Sequence, residues 1–286
     1  MKVRVITAVI GIAVLFPLFW FSDPMGAAHP LSYIFPAGLS VLTLAAVWEL
    51  LHCVGLDKNY FVSVPLYLSA VAFPVLARVM GELNADFAQL AVIVALVLAV
   101  YLLAVIVFQY GKVDMGKVAL TFLVGFYVIG SFASIVILRD VPVAGRFLFL
   151  IPFVFSWVTD TFAYFCGRLF GKHKLIPTVS PKKTVEGAIG GAVFCALTAF
   201  IYGLVIKACF GVAPNYPVLI VSGLLIAVVS QIGDLAMSAV KRQHELKDFG
   251  KVLPGHGGIL DRFDSSIAVT VLVLAINTYL PFFQVA

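Results

Sequence analysis

FAQLAVIVALVLAVYLLAVIVFQ, residues 87–109, holds no charged side chain, no proline and no glycine. A helix needs about 20 apolar residues to cross a hydrocarbon core of ~30 Å. In lipid each spanning segment must satisfy its own backbone hydrogen bonds. A barrel strand would instead be a run of ~10 residues with alternating polarity, and this run is continuously apolar. It reads as a transmembrane helix. Eight further runs have the same character, at roughly 3–21, 31–54, 61–80, 117–138, 145–166, 185–207, 217–241 and 263–283. Proline, glycine or charge separates them, as at Asp23-Pro24, Gly55-Leu56-Asp57-Lys58 and Gly111-Lys112. The predicted fold is all-α, a polytopic integral membrane protein of about nine transmembrane helices.

Composition agrees. Of 286 residues, 62% are hydrophobic and 12% charged, against roughly 45–50% and 25% in soluble domains. Fourteen acids and 19 bases cannot cover a soluble sphere of this size, so most of the surface faces lipid. Disorder, a collagen-like fibre, a disulfide scaffold and a cytosolic enzyme are excluded. Cys53, Cys166, Cys195 and Cys209 lie in or at the ends of apolar runs with no C-x-x-C pair, and read as buried small hydrophobes. The net charge is +5, and eleven of the 19 bases fall between residues 168 and 262. In a membrane chain that pattern points to orientation, anionic headgroups or a phosphorylated substrate. It does not point to nucleic acid, since no reading module is present.

Orientation follows from the basic residues. With a cytoplasmic N-terminus, fifteen of the 19 lie inside, including five in the loop 167–184 and five in 241–262. Arg78, Arg139, Arg146 and Lys207 are left outside. Lys2 and Arg4 before the apolar run Val5–Phe21 resemble a signal peptide, with Gly26-Ala27-Ala28 as a cleavage site. The length of the run and the spans that follow favour an uncleaved first helix. Residues 1–150 read as a scaffold of transmembrane helices, with a role in dimer contact and lipid access. Residues 151–286 read as the catalytic region with two cytoplasmic polar loops, because the spans before residue 150 carry almost no charge whereas polar and charged residues enter the spans from Ser156 onward.

Asp234 follows the apolar run Val218–Val229, and a lone carboxylate at that depth is costly, by ~2.5–3.5 kcal/mol near a helix centre. Asp234, Ser238 and Lys241 stand at i, i+4 and i+7 on one helical face, with Gln231 close to it. Two readings stay open: an internal Asp–Lys pair locking two helices, or a polar groove open to the cytoplasm. Pro254-Gly255-His256-Gly257-Gly258 cannot be helix interior. Its glycines allow close approach of a ligand, and successive N–H groups can form an anion nest. His256 could donate to phosphate, act as acid or base, or do neither. Asp261 and Asp264 share the first turn of the last span, where acids also serve as simple caps. Carboxylates converging from two helices make a hard-oxygen site suited to Mg²⁺ and substrate phosphates, with Lys241, Arg242 and Arg262 balancing phosphate charge. A second cluster comprises Asp160, Arg168 and Ser180-Pro181-Lys182-Lys183-Thr184-Val185-Glu186-Gly187. There, hydroxyls ahead of Glu186 resemble a capping box, the lysines could be positive-inside anchors, and Gly187 and Gly191 have a helix-packing spacing.

The 27-residue run SAVKRQHELKDFGKVLPGHGGILDRFD, residues 238–264, resembles the signature of the CDP-diacylglycerol synthases, or phosphatidate cytidylyltransferases. Ser238, Lys241, Arg242, Lys247, Asp248, Gly250, Leu253 through Ile259, Asp261, Arg262 and Asp264 carry the resemblance, and Asp160-Thr161 and Ser180–Gly187 extend it. The resemblance implies the reaction CTP + phosphatidate → CDP-diacylglycerol + diphosphate, for phospholipid synthesis. It also implies Mg²⁺, with K⁺ as a second ion, a nine-helix homodimer in the bacterial cytoplasmic membrane, and Asp234 and Asp261 as metal-coordinating acids. On this reading Asp264 and Lys241 join them as catalytic residues. Ser238, Arg242, His256, Gly257, Gly258 and Arg262 would bind substrate, with Lys182 and Lys183 as weaker candidates. The alternatives are a CTP-dependent lipid kinase of the dolichol-kinase type and a cation transporter.

Overall fold

The computed structural model describes residues 30–252 and 257–284. After a 3-10 turn at Pro30–Tyr33 come α1 (Ile34–Val54), α2 (Tyr60–Glu82), α3 (Phe87–Phe108), α4 (Met115–Asp140), the short α5 (Gly145–Leu148), α6 (Ile151–Phe170), α7 (Val185–Phe210), α8 (Tyr216–Gln243) and α9 (Leu260–Tyr279). Seven segments among the described residues are long and apolar enough to cross a membrane, Gly145–Phe170 counting as one. The chain is a multi-pass membrane protein. The span expected over 3–21 lies outside the described residues. The span expected over 263–283 is α9, which is 20 residues long but carries Asp261, Arg262 and Asp264 in its opening turn and is not one of the seven.

Local chemistry sets the ends. Gly55 closes α1 at φ 78°, its N–H bonding back to Leu51 and His52 carbonyls, a conformation only glycine adopts cheaply. Asp86 caps α3 by accepting from Ala88 and Gln89 N–H groups. Thr184 caps α7 through Gly187 N–H at 3.2 Å. The expected capping box does not form, because with Thr184 as the N-cap the third helical position is Gly187 rather than Glu186; Glu186 is paired with His173, 2.6 Å from its Nδ1. Hydroxyls in the spans bond the carbonyl one turn back, as Thr43 does to Leu39 and Thr159 to Phe155. That is how a helix satisfies them without water.

The chain divides into two compact units. One comprises residues up to Asp140 together with Leu246–Arg262, the other Val141–Glu245 together with residues from Phe263 onward. In the first unit α1, α2 and α4 pack mutually and α3 lies against α2 and α4. Only Leu98, Leu102 and Val105 of α3 are buried, so the run of residues 87–109 turns most of its apolar surface outward. Arg78 is buried there, 2.9 Å from Glu82 and 2.7 Å from Asp140.

In the second unit α7 packs on α6 and α8. Gly187 and Gly191 make the first contact possible, since a Cβ on Gly191 would sit 2.8 Å from the Thr159 carbonyl. Two small antiparallel sheets add to the helices. The stretch expected as loop between α6 and α7 folds into a hairpin of β1 (Lys174–Ile176) and β2 (Ser180–Thr184). Its turn closes through Val179 N–H on the Ile176 carbonyl, with Pro177 supplying the pre-set φ at the second position. The other pairs β3 (Ala213–Pro214) with β4 (Phe283–Gln284).

Candidate active site

Within the second unit, four elements bring charge into otherwise apolar surroundings. Asp160 on α6 accepts a hydrogen bond from the Ser265 hydroxyl of α9, 3.0 Å from its Oδ2. Asp264, next to Ser265 and 8% exposed, has Oδ2 3.9 Å from Nζ of Lys241 on α8. Asp234, seven residues before Lys241, is ion-paired with Lys183 of β2. The charges of Asp160 and Asp234 both act on Asp264, and that of Asp234 on Asp160. Three carboxylates and two ammonium groups thus form one electrostatic cluster.

The backbone explains the placement. Lys183 is half-buried against Asp234 whereas Lys182 is exposed, so two lysines that looked equivalent in the sequence differ in their surroundings. Gly233, just before Asp234, lets α9 come close: a Cβ there would sit 2.9 Å from the Asp264 carbonyl oxygen. Gln231 ties α8 to α7, donating to the Ala188 carbonyl at 3.3 Å and to Ala227 within its own helix at 3.0 Å. Ser238 is half-buried one turn beyond Asp234, and Arg242 is exposed in the last turn of α8.

All the oxygen donors here are hard. Three carboxylates against two lysines leave an excess of negative charge at a partly buried site, with Asp264 and Lys241 buried and the Lys183 and Asp234 side chains 24% and 26% exposed. The hydroxyls of Ser156 and Ser230, one turn before Asp160 and Asp234, and of Ser266, two residues after Asp264, are buried without a hydrogen-bond partner among the described residues. Oxygen ligands, surplus negative charge and unsatisfied hydroxyls are chemistry that suits a hydrated divalent ion. No group of three acids, histidines or cysteines stands at coordination spacing among the described residues, and lysines occupy Asp234 and Asp264. The donors fit Mg²⁺; they are not assembled as a finished cage.

The first unit holds the rest of the 238–264 signature. Asp261 accepts from Phe249 N–H at 2.8 Å and Gly258 N–H at 3.0 Å, both through Oδ2. The next two amides, of Ile259 and Leu260, donate to Glu49 of α1 at 2.9 Å each. Of the stretch Pro254–Gly258 expected to form an anion nest, the Gly258 amide is engaged by the chain's own Asp261, and residues 253–256 lie outside the described residues. Gly257 adopts φ 89°, and Arg262 is exposed. His256 lies outside the described residues.

Of the residues singled out in the sequence, the second unit brings together Asp234, Asp264, Lys241 and Lys183. Asp234 and Lys241, read as sharing one face of a helix, each take a partner from a different element. Asp160 was visible as a polar residue but carried no assigned role. Glu49 was missed. An acid within an apolar span is by default a functional candidate, and that signal alone would have found it.

Residues 2–280 match the sequence model of the cytidylyltransferase family. The chain belongs to that family, and is a nucleotidyltransferase set in a bundle of membrane helices. A phosphatidate cytidylyltransferase of Staphylococcus haemolyticus (strain JCSC1435) is 34% identical over 275 residues, covering 96% of this chain and 97% of the relative. One of Staphylococcus aureus (strain COL) is 33% identical over 279 residues, with the same coverage. One of Staphylococcus epidermidis (strain ATCC 12228 / FDA PCI 1200) is 32% identical over 284 residues, covering 97% of this chain and all of the relative.

Proposed function

We propose that this chain transfers the cytidylyl group of CTP to phosphatidate, giving CDP-diacylglycerol and diphosphate. The observation that carries this reading is the cluster of Asp160, Asp234 and Asp264 with Lys183 and Lys241, in a chain matched from end to end by relatives named for that reaction. A phosphate oxygen of phosphatidate bonds to the α-phosphorus of CTP, and the bond to the bridging oxygen toward the β-phosphorus breaks. The nucleophile is already anionic near neutral pH, so no general base is required. The protein's work is then positioning and charge neutralisation.

Asp234 and Asp261, with Asp264 in support, are the residues that would hold Mg²⁺, which supplies neutralisation of the triphosphate; K⁺ is proposed as a second ion. Lys241, Arg242 and Arg262 contact phosphate oxygens, with Ser238, Gly257, Gly258 and His256 lining the substrate. Lys183, already inside the cluster, is a stronger contributor than Lys182. Diphosphate leaves toward the side carrying the basic loops, while the acyl chains stay in lipid. The asymmetry of basic residues supports a bacterial cytoplasmic membrane location with the active site facing the cytoplasm. Family resemblance supports a homodimer.

The test uses purified protein in detergent with phosphatidate, Mg²⁺ and CTP labelled at either the α- or the γ-phosphate. Label from the α-position in lipid, with release of diphosphate, is the expected result. Lipid labelled only from the γ-position would mean a kinase and overturn the reading, and no transfer from either label would do so too.

A further inference from the structure

Glu49 is fully buried, at 0% exposed, in an apolar helix, α1. Burial without compensation strongly disfavours a carboxylate, so its oxygens need partners, and both find them 210 or more positions away. Oε1 accepts from Ile259 N–H and Oε2 from Leu260 N–H, each at 2.9 Å. A local Ser, Thr or Asp ordinarily caps a helix start. Here the opening of α9 is capped from another helix, so the cap also fixes where the chain lies.

Two glycines of the signature are shaped around this carboxylate. A Cβ on Gly250 would sit 2.6 Å from Glu49 Oε1, and one on Gly258 2.6 Å from the same oxygen. Asp261 then braces the same turn, taking Phe249 and Gly258 N–H groups on one oxygen. Four amides on the two sides of the loop are thereby held by two carboxylates, and the second of those belongs to the signature itself.

We propose that Glu49 is a positioning residue for the transfer reaction: it holds the Ile259 and Leu260 amides so that the opening of α9, with Asp261 in it, is presented in one fixed geometry. This rests on the cytidylyl-transfer reading. Glu49 does not touch the reacting atoms; it acts through Ile259, Leu260 and the two glycines. Small displacements of a catalytic group lower turnover steeply, whereas substrate affinity made elsewhere is preserved.

The full chain in detergent, assayed with CTP, phosphatidate and Mg²⁺, tests this through Glu49→Gln, Glu49→Asp, Gly258→Ala and the Glu49→Asp/Gly258→Ala double variant. Glu49→Gln puts an amide donor against a backbone N–H. The expected result is a kcat loss per folded molecule on the order of 10- to 100-fold, a KM for CTP within roughly 2-fold, a lowered thermal midpoint, and faster amide exchange confined to 258–260. Gly258→Ala should fall comparably, and the double variant should exceed Gly258→Ala, because the shorter acid retracts from the new methyl. An active wild type whose Glu49→Gln keeps full kcat overturns the role. So does a loss that merely tracks the fraction of folded protein, or a double variant no better than Gly258→Ala. A wild type that forms no CDP-diacylglycerol overturns the reaction, and this role with it.

Discussion

The first unit and the second use the same functional group in opposite ways. Glu49 and Asp261 face backbone N–H groups at 2.8–3.0 Å. Asp160 and Asp234 face a hydroxyl and an ammonium group, and Asp264 faces Lys241 with one oxygen while its other takes the Ser265 N–H at 2.9 Å. A backbone amide cannot leave without the chain moving, so a carboxylate bound to it is a brace. A lysine can swing away on four methylenes, so a carboxylate facing it can exchange that partner for a bound cation or yield the lysine to a phosphate. Membrane burial makes both arrangements stringent, because an unpaired charge has no water to fall back on. Which partner an acid has therefore indicates its work better than its depth in the helix.

Predictions follow this contrast downward in size. Asp234→Asn should lower turnover on the order of 10³-fold with membrane insertion intact; substantial Mg²⁺-dependent CDP-lipid formation would erase the distinction between exchangeable acid and brace. Asp261→Asn probes both sides at once. Its remaining carbonyl oxygen still accepts from Phe249 and Gly258, so amide exchange at those positions should stay slow while turnover falls on the order of 10²-fold. If exchange and turnover change together, Asp261 is only a brace.

Lys183→Met should lower kcat/KM roughly 10-fold through loss of a positioned charge, whereas exposed Lys182→Met should change it by about 2-fold or less. Equal effects in steady-state assays would show that the two lysines' surroundings do not matter. The smallest effect on catalysis belongs to Arg78→Met. It strands Glu82 and Asp140 and should cost about 2 kcal/mol of stability, below the figure for a fully buried pair because both acids are partly exposed. Activity per folded molecule should not change, as thermal unfolding measured beside a normalised assay would reveal.

Much of the fold was readable before any coordinates. Apolar runs bounded by Gly55, Asp86, Thr184 and Asn215 became α1, α3, α7 and α8, because a lipid solvent forces each run to close its own hydrogen bonds and local caps end it. The hairpin at 174–184 was not readable: strands of three and five residues with mixed polarity have no periodicity strong enough to announce them. At the site, Asp234 became a candidate through its charge at costly depth, Lys241 through sharing its helical face, and Asp264 through its spacing from Asp261 at the start of the last span. Their pairing was not readable in this way. Glu49 carried a readable signal as an acid inside an apolar span; what no sequence pattern marks is its partners, which are backbone amides.

Length, hydropathy and charge asymmetry are properties of short segments, set by the bilayer's thickness and by the cost of burying charge; the amino-acid order alone determined them, together with the 238–264 signature. Choosing Lys183 over Lys182, pairing Lys241 with Asp264, and sending Glu49 across 210 residues to Ile259 needed the folded chain. Such contacts depend on strand register and helix packing, and those emerge only when distant segments compete for the same few donors.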